Sequence, residues 1–130
     1  DDYLAYLDSF VTIFCDVDGV LLENGSKFGK NGWRTKPILQ NLEILEKLSK
    51  TKKIFLVITT SRHKSELNYL EKIFVNNNID VHRYIFDLPH CKRIIINDYS
   101  SSLPYPSSLS INLERDSKNL SQVLGSLLKI

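Results

Sequence analysis

The stretch VTIFCDVDGV, residues 11–20, joins an apolar run to two aspartates and a glycine. Residues 11–17 are rich in β-branched and aromatic side chains, which favours a buried strand. Asp16 and Asp18 are separated by one residue, so alternation along a strand would point both side chains the same way. Gly19 allows the chain to turn sharply just afterwards. The stretch therefore predicts a strand that ends in a tip rich in carboxylates.

Further apolar runs and helical patterns alternate along the rest of the chain. The predicted strands are residues 11–17, 54–60, 82–88, 93–98 and 109–113. The spacing of leucine, isoleucine and valine predicts helices over residues 36–50, 64–76 and 117–128. Thr35 is the expected N-cap of the first helix and Asp116 that of the last. This alternation is typical of a three-layer α/β fold, in which helices cover both faces of a parallel sheet. We expect one domain over residues 1–130.

Composition limits the partners and the location of the chain. Its net charge of +2 comes from scattered lysines and not from a basic run, so no nucleic-acid partner is expected. No apolar stretch could span a bilayer, and no signal peptide is visible, so no membrane partner is expected. Cys15 and Cys91 lack metal-ligand spacing, which favours a reduced, buried pair in a cytoplasmic protein. Methionine is absent, which indicates a trimmed product or, as we favour, a domain cut from a longer protein.

Polar side chains end the first, second and fourth predicted strands, where open parallel sheets bind their ligands. Asp16 and Asp18 end the first strand, and Asp98 ends the fourth. Like charges brought together at one edge need a cation or a proton between them. Clustered carboxylates with room for water are the ligands that Mg²⁺ prefers. These three aspartates therefore predict a Mg²⁺ site.

Donors for phosphate oxygens lie at the same predicted edge. The second strand, KIFLVITTSR, residues 53–62, ends in the hydroxyls of Thr60 and Ser61. Lys92 and Arg93 precede the fourth strand. Hydroxyls and cations of this kind bind phosphate and offset its charge. The sequence thus favours phosphate chemistry at this edge.

The motifs, in this order, resemble those of the haloacid dehalogenase (HAD) superfamily. DVDGV resembles its first motif, ITTSR its second, and KRIIIND its third and fourth. The resemblance covers nearly the whole chain and implies a Rossmann-like fold with phosphatase activity. Both intervals where such enzymes carry a cap domain are short here, which implies a capless member.

The resemblance also implies a role for each motif residue. Asp16 would attack phosphorus, form an aspartyl-phosphate and bind Mg²⁺. Asp18 would act as acid and then base, while its carbonyl binds the metal. Phosphate-binding roles fall to Thr60, Ser61 and either Lys92 or Arg93. Asp98 would complete the metal site.

Two features depart from the family pattern. The basic residue usually lies further upstream than Lys92 or Arg93, so the motif does not choose between them. The fourth motif commonly holds two acids, whereas here Asn97 precedes Asp98. This departure implies weaker metal binding, or a water held by Asn97.

The segment ENGSKFGKNGWR, residues 23–34, follows the first motif. The family resemblance implies that it forms a β-hairpin flap over the site and that Phe28 and Trp33 belong to this flap. Packing of the two aromatic side chains without such a role is an equal alternative. His63, His82 and His90 have no metal-site spacing and are interpreted as surface or loop histidines.

Rival functions come from other classes of protein. A phospho-receiver domain also places Asp, Thr and Lys at strand ends, but the order acid, hydroxyl, base, acid favours the HAD scheme. A catalytically silent HAD-fold module would gain nothing from clustered carboxylates. A phosphatase for a large substrate, such as a protein or a nucleic-acid end, stays open as an alternative.

A closer resemblance extends from DYLAYL, residues 2–7, through the motifs to LERD, residues 113–116. It is to bacterial HAD domains of surface-polysaccharide loci, some fused behind a nucleotidyltransferase domain. This resemblance implies a small sugar or polyol phosphate as substrate. It also implies that a fused domain or a homo-oligomer supplies a cover for the open site.

Overall fold

A parallel sheet of three strands organises the computed structural model, which describes residues 10–51 and 53–128. In spatial order the strands are β1 (Val11–Asp16), β2 (Ile54–Thr59) and β3 (Arg83–Ile85). The helices are α1 (Leu39–Ser49), α2 (Leu67–Asn76) and α3 (Leu120–Leu128), and a 3₁₀ turn (Lys64–Glu66) leads into α2. An α/β fold with a parallel sheet is therefore confirmed. DYLAYL lies outside the described residues.

Strand register places the predicted tips side by side. β1 and β2 pair along their whole length, from Val11 with Ile54 to Asp16 with Thr59. β2 pairs in turn with β3, and Thr59 lies level with Ile85. Just beyond the strand, the Thr60 N–H donates to the Ile85 carbonyl at 3.0 Å. Asp16 and the Thr59–Thr60 pair therefore share one edge of the sheet.

The core lies on one face of the sheet. Cys15 of β1 and Ile54, Leu56 and Ile58 of β2 share this face by register, and all four are buried in one hydrophobic cluster. All three helices contribute to the cluster, through Leu42, Leu45, Leu48, Leu70, Phe74, Leu120 and Leu124. The described helices therefore pack on this face.

The opposite face of the sheet is partly open. Phe14 and Ile85 belong to it by register and are 54% and 40% exposed. Helices on both faces, as the sequence predicts, are not seen within residues 10–51 and 53–128. The physical reason is that the later strands, which would carry further packing, do not form.

Two predicted strands have no regular structure. Residues 93–98 and 109–113 run as irregular chain, and Ile94 and Ile96 are 85% and 90% exposed. A strand is stable only when a neighbour satisfies its backbone groups. β1 pairs with β2 on one side, and within the described residues no strand pairs with its other edge. The prediction of five strands is wrong for these two.

Several predicted boundaries and caps also differ. Residues 82–88 shorten to β3. Ile38 stands at the N-cap of α1 with no side-chain cap, while the Thr35 hydroxyl is buried without a partner. Asp116 does not cap α3, because it adopts a φ of 64° and accepts a hydrogen bond from the Asn24 N–H at 2.7 Å.

The two cysteines are free thiols, but they differ in burial. Cys15 is buried in the core, whereas Cys91 is exposed, so the prediction of a buried pair is wrong for Cys91. Burial, and secondly the charge of Asp16, raises the pKa of Cys15 to about 12. Its thiol therefore stays protonated at neutral pH and is a poor nucleophile. Separately, none of the described helices has the length and apolar character to cross a bilayer.

Asn41 on α1 connects three parts of the chain. Its side chain has no exposed surface, and its amide nitrogen donates to the carbonyls of Val20 and Ser117, both at 2.7 Å. Its amide oxygen accepts from the N–H of Leu120, the first residue of α3, at 3.3 Å. Asn41 therefore fixes the turn after β1 and the start of α3 against α1.

We predict that Asn41→Leu lowers the free energy of unfolding by on the order of 3 kcal/mol, because it leaves buried backbone groups unpaired. Urea unfolding followed by circular dichroism measures the change. The matched control is Gln40→Leu on the exposed side of the same helix, which should change stability little. Equal effects of the two substitutions would contradict the role of Asn41.

Candidate functional site

A tight turn presents the first motif at the edge of the sheet. The Val17 carbonyl accepts hydrogen bonds from the N–H groups of Val20, Leu21 and Leu22 at 2.9–3.2 Å. Gly19 has a φ of +84°, and a Cβ there would lie 3.3 Å from the Arg115 Cγ. A glycine is needed because other residues rarely adopt this conformation. The turn therefore follows the carboxylates as the sequence predicts.

Asp16 is a half-buried carboxylate at the end of β1. Burial raises its pKa above the ordinary value, and the nearby charge of Asp18 adds to the rise. The N–H of Val17 and the charges of Arg93 and His90 act in the opposite direction and do not fully offset it. Asp16 is thus a partly desolvated carboxylate on which the charge of Arg93 acts.

Arg62 binds both oxygens of Asp18. Its Nη2 donates to Oδ1 at 2.8 Å and its Nε to Oδ2 at 3.1 Å. The Arg62 side chain has no exposed surface, and the Asp18 side chain is 19% exposed. This bidentate pair fixes the direction of the Asp18 carboxylate and occupies both of its oxygens.

Glu66 and Arg34 extend this pair toward the surface. Arg62 Nη1 donates to Glu66 Oε1 at 3.0 Å. Arg34 donates to the same oxygen at 2.8 Å and to Oε2 at 3.2 Å. Burial alone would raise the pKa of Glu66, but the hydrogen bonds and charges of the two arginines outweigh it and hold the pKa below the ordinary value. The four side chains form a continuous run of alternating charge.

Thr60 and Ser61 occupy the turn after β2. Thr60 has no exposed surface, and its hydroxyl oxygen accepts from the Arg62 N–H at 3.0 Å. The segment after β3 folds over this turn, because Leu88 N–H donates to the Thr60 carbonyl at 3.1 Å. Ser61 is partly buried. The Thr60 hydroxyl still has its own hydrogen to donate.

The predicted basic residues and the last acid lie on the irregular segment. Lys92, Arg93 and Asp98 are all exposed. Arg93 is close enough for its charge to lower the pKa of Asp16, whereas Lys92 makes no such contribution. The Asp98 carbonyl accepts from the Ser107 hydroxyl. Arg93 is therefore the one of the two basic residues whose charge reaches Asp16, and the charge of His90, which the sequence pattern treats as a loop histidine, acts on Asp16 as well.

The expected Mg²⁺ ligands are not gathered. Within residues 10–51 and 53–128, no group of three His, Cys, Asp or Glu side chains could hold a metal ion. Both Asp18 oxygens accept from Arg62, and Asp98 does not join Asp16 and Asp18. The residues, as arranged, do not fit a three-carboxylate metal site.

The loop after the first motif closes at its base. Glu23 N–H donates to the Lys36 carbonyl at 2.7 Å, and Leu22 and Pro37 form an antiparallel bridge. The loop between them consists of turns and not of hairpin strands. Trp33 lies with its ring 5.6 Å from the Arg62 guanidinium, whereas Phe28 is 91% exposed. Trp33 thus contacts the site, and Phe28 projects away into solvent.

Sequence reasoning missed the partners of Asp18. The pattern places Arg62 in the second motif, as an alternative phosphate-binding cation to Lys92 and Arg93, and gives no role to Glu66 or Arg34. Glu66 stands four residues after Arg62, a spacing that brings side chains together on helical chain and could have indicated the pair. Arg34 is 32 residues away from Glu66, and no local pattern indicates that contact.

Comparison of the chain with protein-family models, with curated proteins and with solved structures finds no match.

We predict that Glu66 makes the fold sensitive to acid. Because its pKa in the folded state is below the unfolded value of about 4.3, its contribution to stability is present above that pH and is lost as pH falls through the folded pKa. The midpoint of urea unfolding, measured from pH 6 to pH 3, should therefore fall less steeply for Glu66→Gln than for the wild type. Glu43→Gln, at an exposed position on α1, is the control and should follow the wild-type slope. Parallel curves for Glu66→Gln and the wild type would contradict this role.

Proposed function

We propose that this chain is a phosphomonoester hydrolase in which Asp16 is the nucleophile. The observation that carries the proposal is the position of Asp16 at the end of β1, half-buried and acted on by the charges of Arg93 and His90. A phosphoryl group carries its negative charge on oxygens, which suits the guanidinium of Arg93 near Asp16. The motif resemblance supports the same assignment.

The proposed reaction has two steps, and both use residues of this chain. A carboxylate oxygen of Asp16 forms a bond to phosphorus while the bond from phosphorus to the alcohol oxygen breaks. Asp18, once one of its oxygens has left Arg62 and taken up a proton from solvent, gives that proton to the departing oxygen. Water then attacks the phosphorus of the aspartyl-phosphate and passes a proton to Asp18. Inorganic phosphate leaves, and the Asp16 carboxylate is restored.

Arg93 is the better candidate for the phosphate-binding cation. Its charge reaches Asp16, while that of Lys92 has no resolved effect there. Ser61, which is only partly buried, would donate to phosphoryl oxygens from the neighbouring strand end. The Thr60 hydroxyl has no exposed surface and would reach them only if the segment after β3 moved aside. Of the two residues that the motif leaves open, Arg93 is therefore the one that we propose binds phosphate.

Mg²⁺ remains part of the proposal through the motif resemblance alone. The described arrangement presents Asp16 but keeps Asp18 bound to Arg62 and Asp98 apart from both. No step of the mechanism above is therefore assigned to a metal. A requirement for Mg²⁺ would mean that the irregular segment bearing Asp98 changes position when the ion binds.

The proposed substrate is a small sugar or polyol phosphate used in surface-polysaccharide synthesis. The closer resemblance supports it, and so does the absence of a basic run in the sequence. We further propose that a fused nucleotidyltransferase domain or a second subunit covers the site. Phe28, in the loop that follows the first motif, is 91% exposed and so leaves an apolar ring accessible to such a cover. A strong preference for a phosphoprotein or a nucleic-acid end would favour the large-substrate alternative.

We predict that Asp16→Asn abolishes release of phosphate from p-nitrophenyl phosphate, because an amide cannot attack phosphorus. Asp18→Asn should lower the turnover of phenyl phosphate by about 10²–10⁴-fold, and that of p-nitrophenyl phosphate less, because a good leaving group needs less protonation. Steady-state release of phosphate measures both. The control is Asp80→Asn, which lies before β3 at the opposite edge of the sheet and is exposed. Near-normal turnover by Asp16→Asn would refute the proposal.

The same assay tests the cofactor. If the Mg²⁺ that the motif resemblance implies is required, a chelator should stop turnover, Mg²⁺ should restore it, and Ca²⁺ should not, because Ca²⁺ coordinates more loosely. Turnover that is indifferent to the chelator but still lost in Asp16→Asn would remove Mg²⁺ from the proposal and keep the nucleophile.

We predict that Arg93→Ala raises the KM for phosphate esters by on the order of tenfold or more, the loss expected for one charge-assisted hydrogen bond to phosphate. Lys92→Ala is the matched control, since it removes an exposed cation at the preceding position. Steady-state kinetics on p-nitrophenyl phosphate measures both variants. A larger effect of Lys92→Ala would reverse the assignment.

A further inference from the structure

Four side chains of alternating charge connect the site to the surface. They are Asp18, Arg62, Glu66 and Arg34, with side-chain exposures of 19%, 0%, 10% and 53%. Every neighbouring pair is joined by at least one hydrogen bond of 3.0 Å or less. Two positive and two negative groups balance one another, so the buried guanidinium is neutralised from both sides.

The direction of the Asp18 carboxylate depends on the far end of this run. Arg62 uses Nε and Nη2 on Asp18 and Nη1 on Glu66, so its plane is fixed by both acids at once. Glu66 Oε1 in turn accepts from both Arg62 and Arg34. Loss of Arg34 would leave Glu66 free to turn its whole carboxylate toward Arg62. The bond from Arg62 Nη1 to Glu66, which helps to fix the plane of the guanidinium, would then be less well defined, and with it the direction of the Asp18 carboxylate.

Arg34 belongs to the loop that follows the first motif. Its guanidinium lies 3.7 Å from the centre of the Tyr69 ring on α2, in addition to its two bonds to Glu66. Trp33, the preceding residue, lies against Arg62. The seating of this loop on α2 is therefore coupled to the position of Arg62.

We infer that Arg34 and Glu66 are positioning residues for the proton transfer by Asp18, and that they make this step depend on the seating of the loop at residues 23–36. This inference rests on the proposed phosphohydrolase function. Neither residue contacts the reacting atoms; each acts through Arg62. Arg34, whose side chain is 53% exposed, is thereby connected to the acid that serves the leaving oxygen.

The test compares two esters that differ in their need for a proton, phenyl phosphate and p-nitrophenyl phosphate. Arg34→Met and Glu66→Gln should lower kcat for phenyl phosphate by on the order of tenfold to a hundredfold, with a much smaller loss for p-nitrophenyl phosphate and little change in KM. Arg34→Met keeps an apolar contact for Tyr69, and Glu66→Gln keeps the shape of the side chain. Arg34→Lys should recover part of the loss, because lysine restores the charge without the bidentate geometry.

A double-variant cycle with Asp18→Asn separates positioning from general damage. If Arg34 acts through Asp18, then adding Arg34→Met to Asp18→Asn should cause no further loss on phenyl phosphate. Lys36→Met is the control, because it removes an exposed cation from the same region of the chain. Thermal unfolding of each variant identifies any that fail to fold. If Arg34→Met fails to fold, Glu66→Gln replaces it in the cycle.

The outcomes distinguish the two levels of the proposal. Equal losses on both esters, or losses that add to that of Asp18→Asn, would overturn the positioning role while turnover by Asp16 remains. A wild-type protein that hydrolyses neither ester would overturn the proposed function and this inference together. Selective, non-additive loss in Arg34→Met or Glu66→Gln supports the inference.

Discussion

A guanidinium without exposed surface is the constraint around which the site is arranged. Arg62 cannot be solvated, so its charge has to be met by acids held in fixed positions, and removing one partner of such a buried pair typically costs about 3–5 kcal/mol. Asp18 and Glu66 meet that charge from the turn after β1 and from the start of α2. Satisfying one buried cation therefore fixes two segments that are far apart in sequence.

Asp16, at the carboxyl end of the sheet, lowers the stability of the fold when it is ionised. The pKa of Asp16 is raised chiefly by burial, so the ionised carboxylate is less favourable in the folded chain than in the unfolded chain. Ionised Asp16 therefore lowers the free energy of unfolding. This loss is smallest below the pKa of Asp16 in the unfolded chain and grows as pH rises through its pKa in the folded chain. Asn41 and the turn at Gly19 offset this cost by fixing the backbone around it. Carboxylates whose pKa is shifted by burial are found more often at functional sites than elsewhere.

The sequence predicted what local pattern controls and missed what long-range pairing controls. β1, β2 and the helices follow from apolar periodicity, and Gly19 from the need for a sharp turn. Residues 93–98 have the composition of a strand, but composition cannot supply the neighbour that a strand requires. The convergence of strand ends in a parallel sheet predicts that Asp16 and Thr60 lie near each other. The contact between Arg34 and Glu66 depends on how the loop packs on α2, which no local pattern encodes.

The open edge of β1 and the exposed isoleucines at 94–96 have a consequence for the chain in concentrated solution. Among residues 10–51 and 53–128 no strand pairs with the outer edge of β1, and an edge without a partner and a short β-branched segment are both templates for cross-β association between molecules. Lys92 and Arg93 precede that segment, and Asp98 follows it after Asn97, so that like charges on neighbouring copies repel. These residues therefore act as gatekeepers against aggregation as well as candidates for chemistry. Selection for solubility and selection for activity would then act on the same few positions.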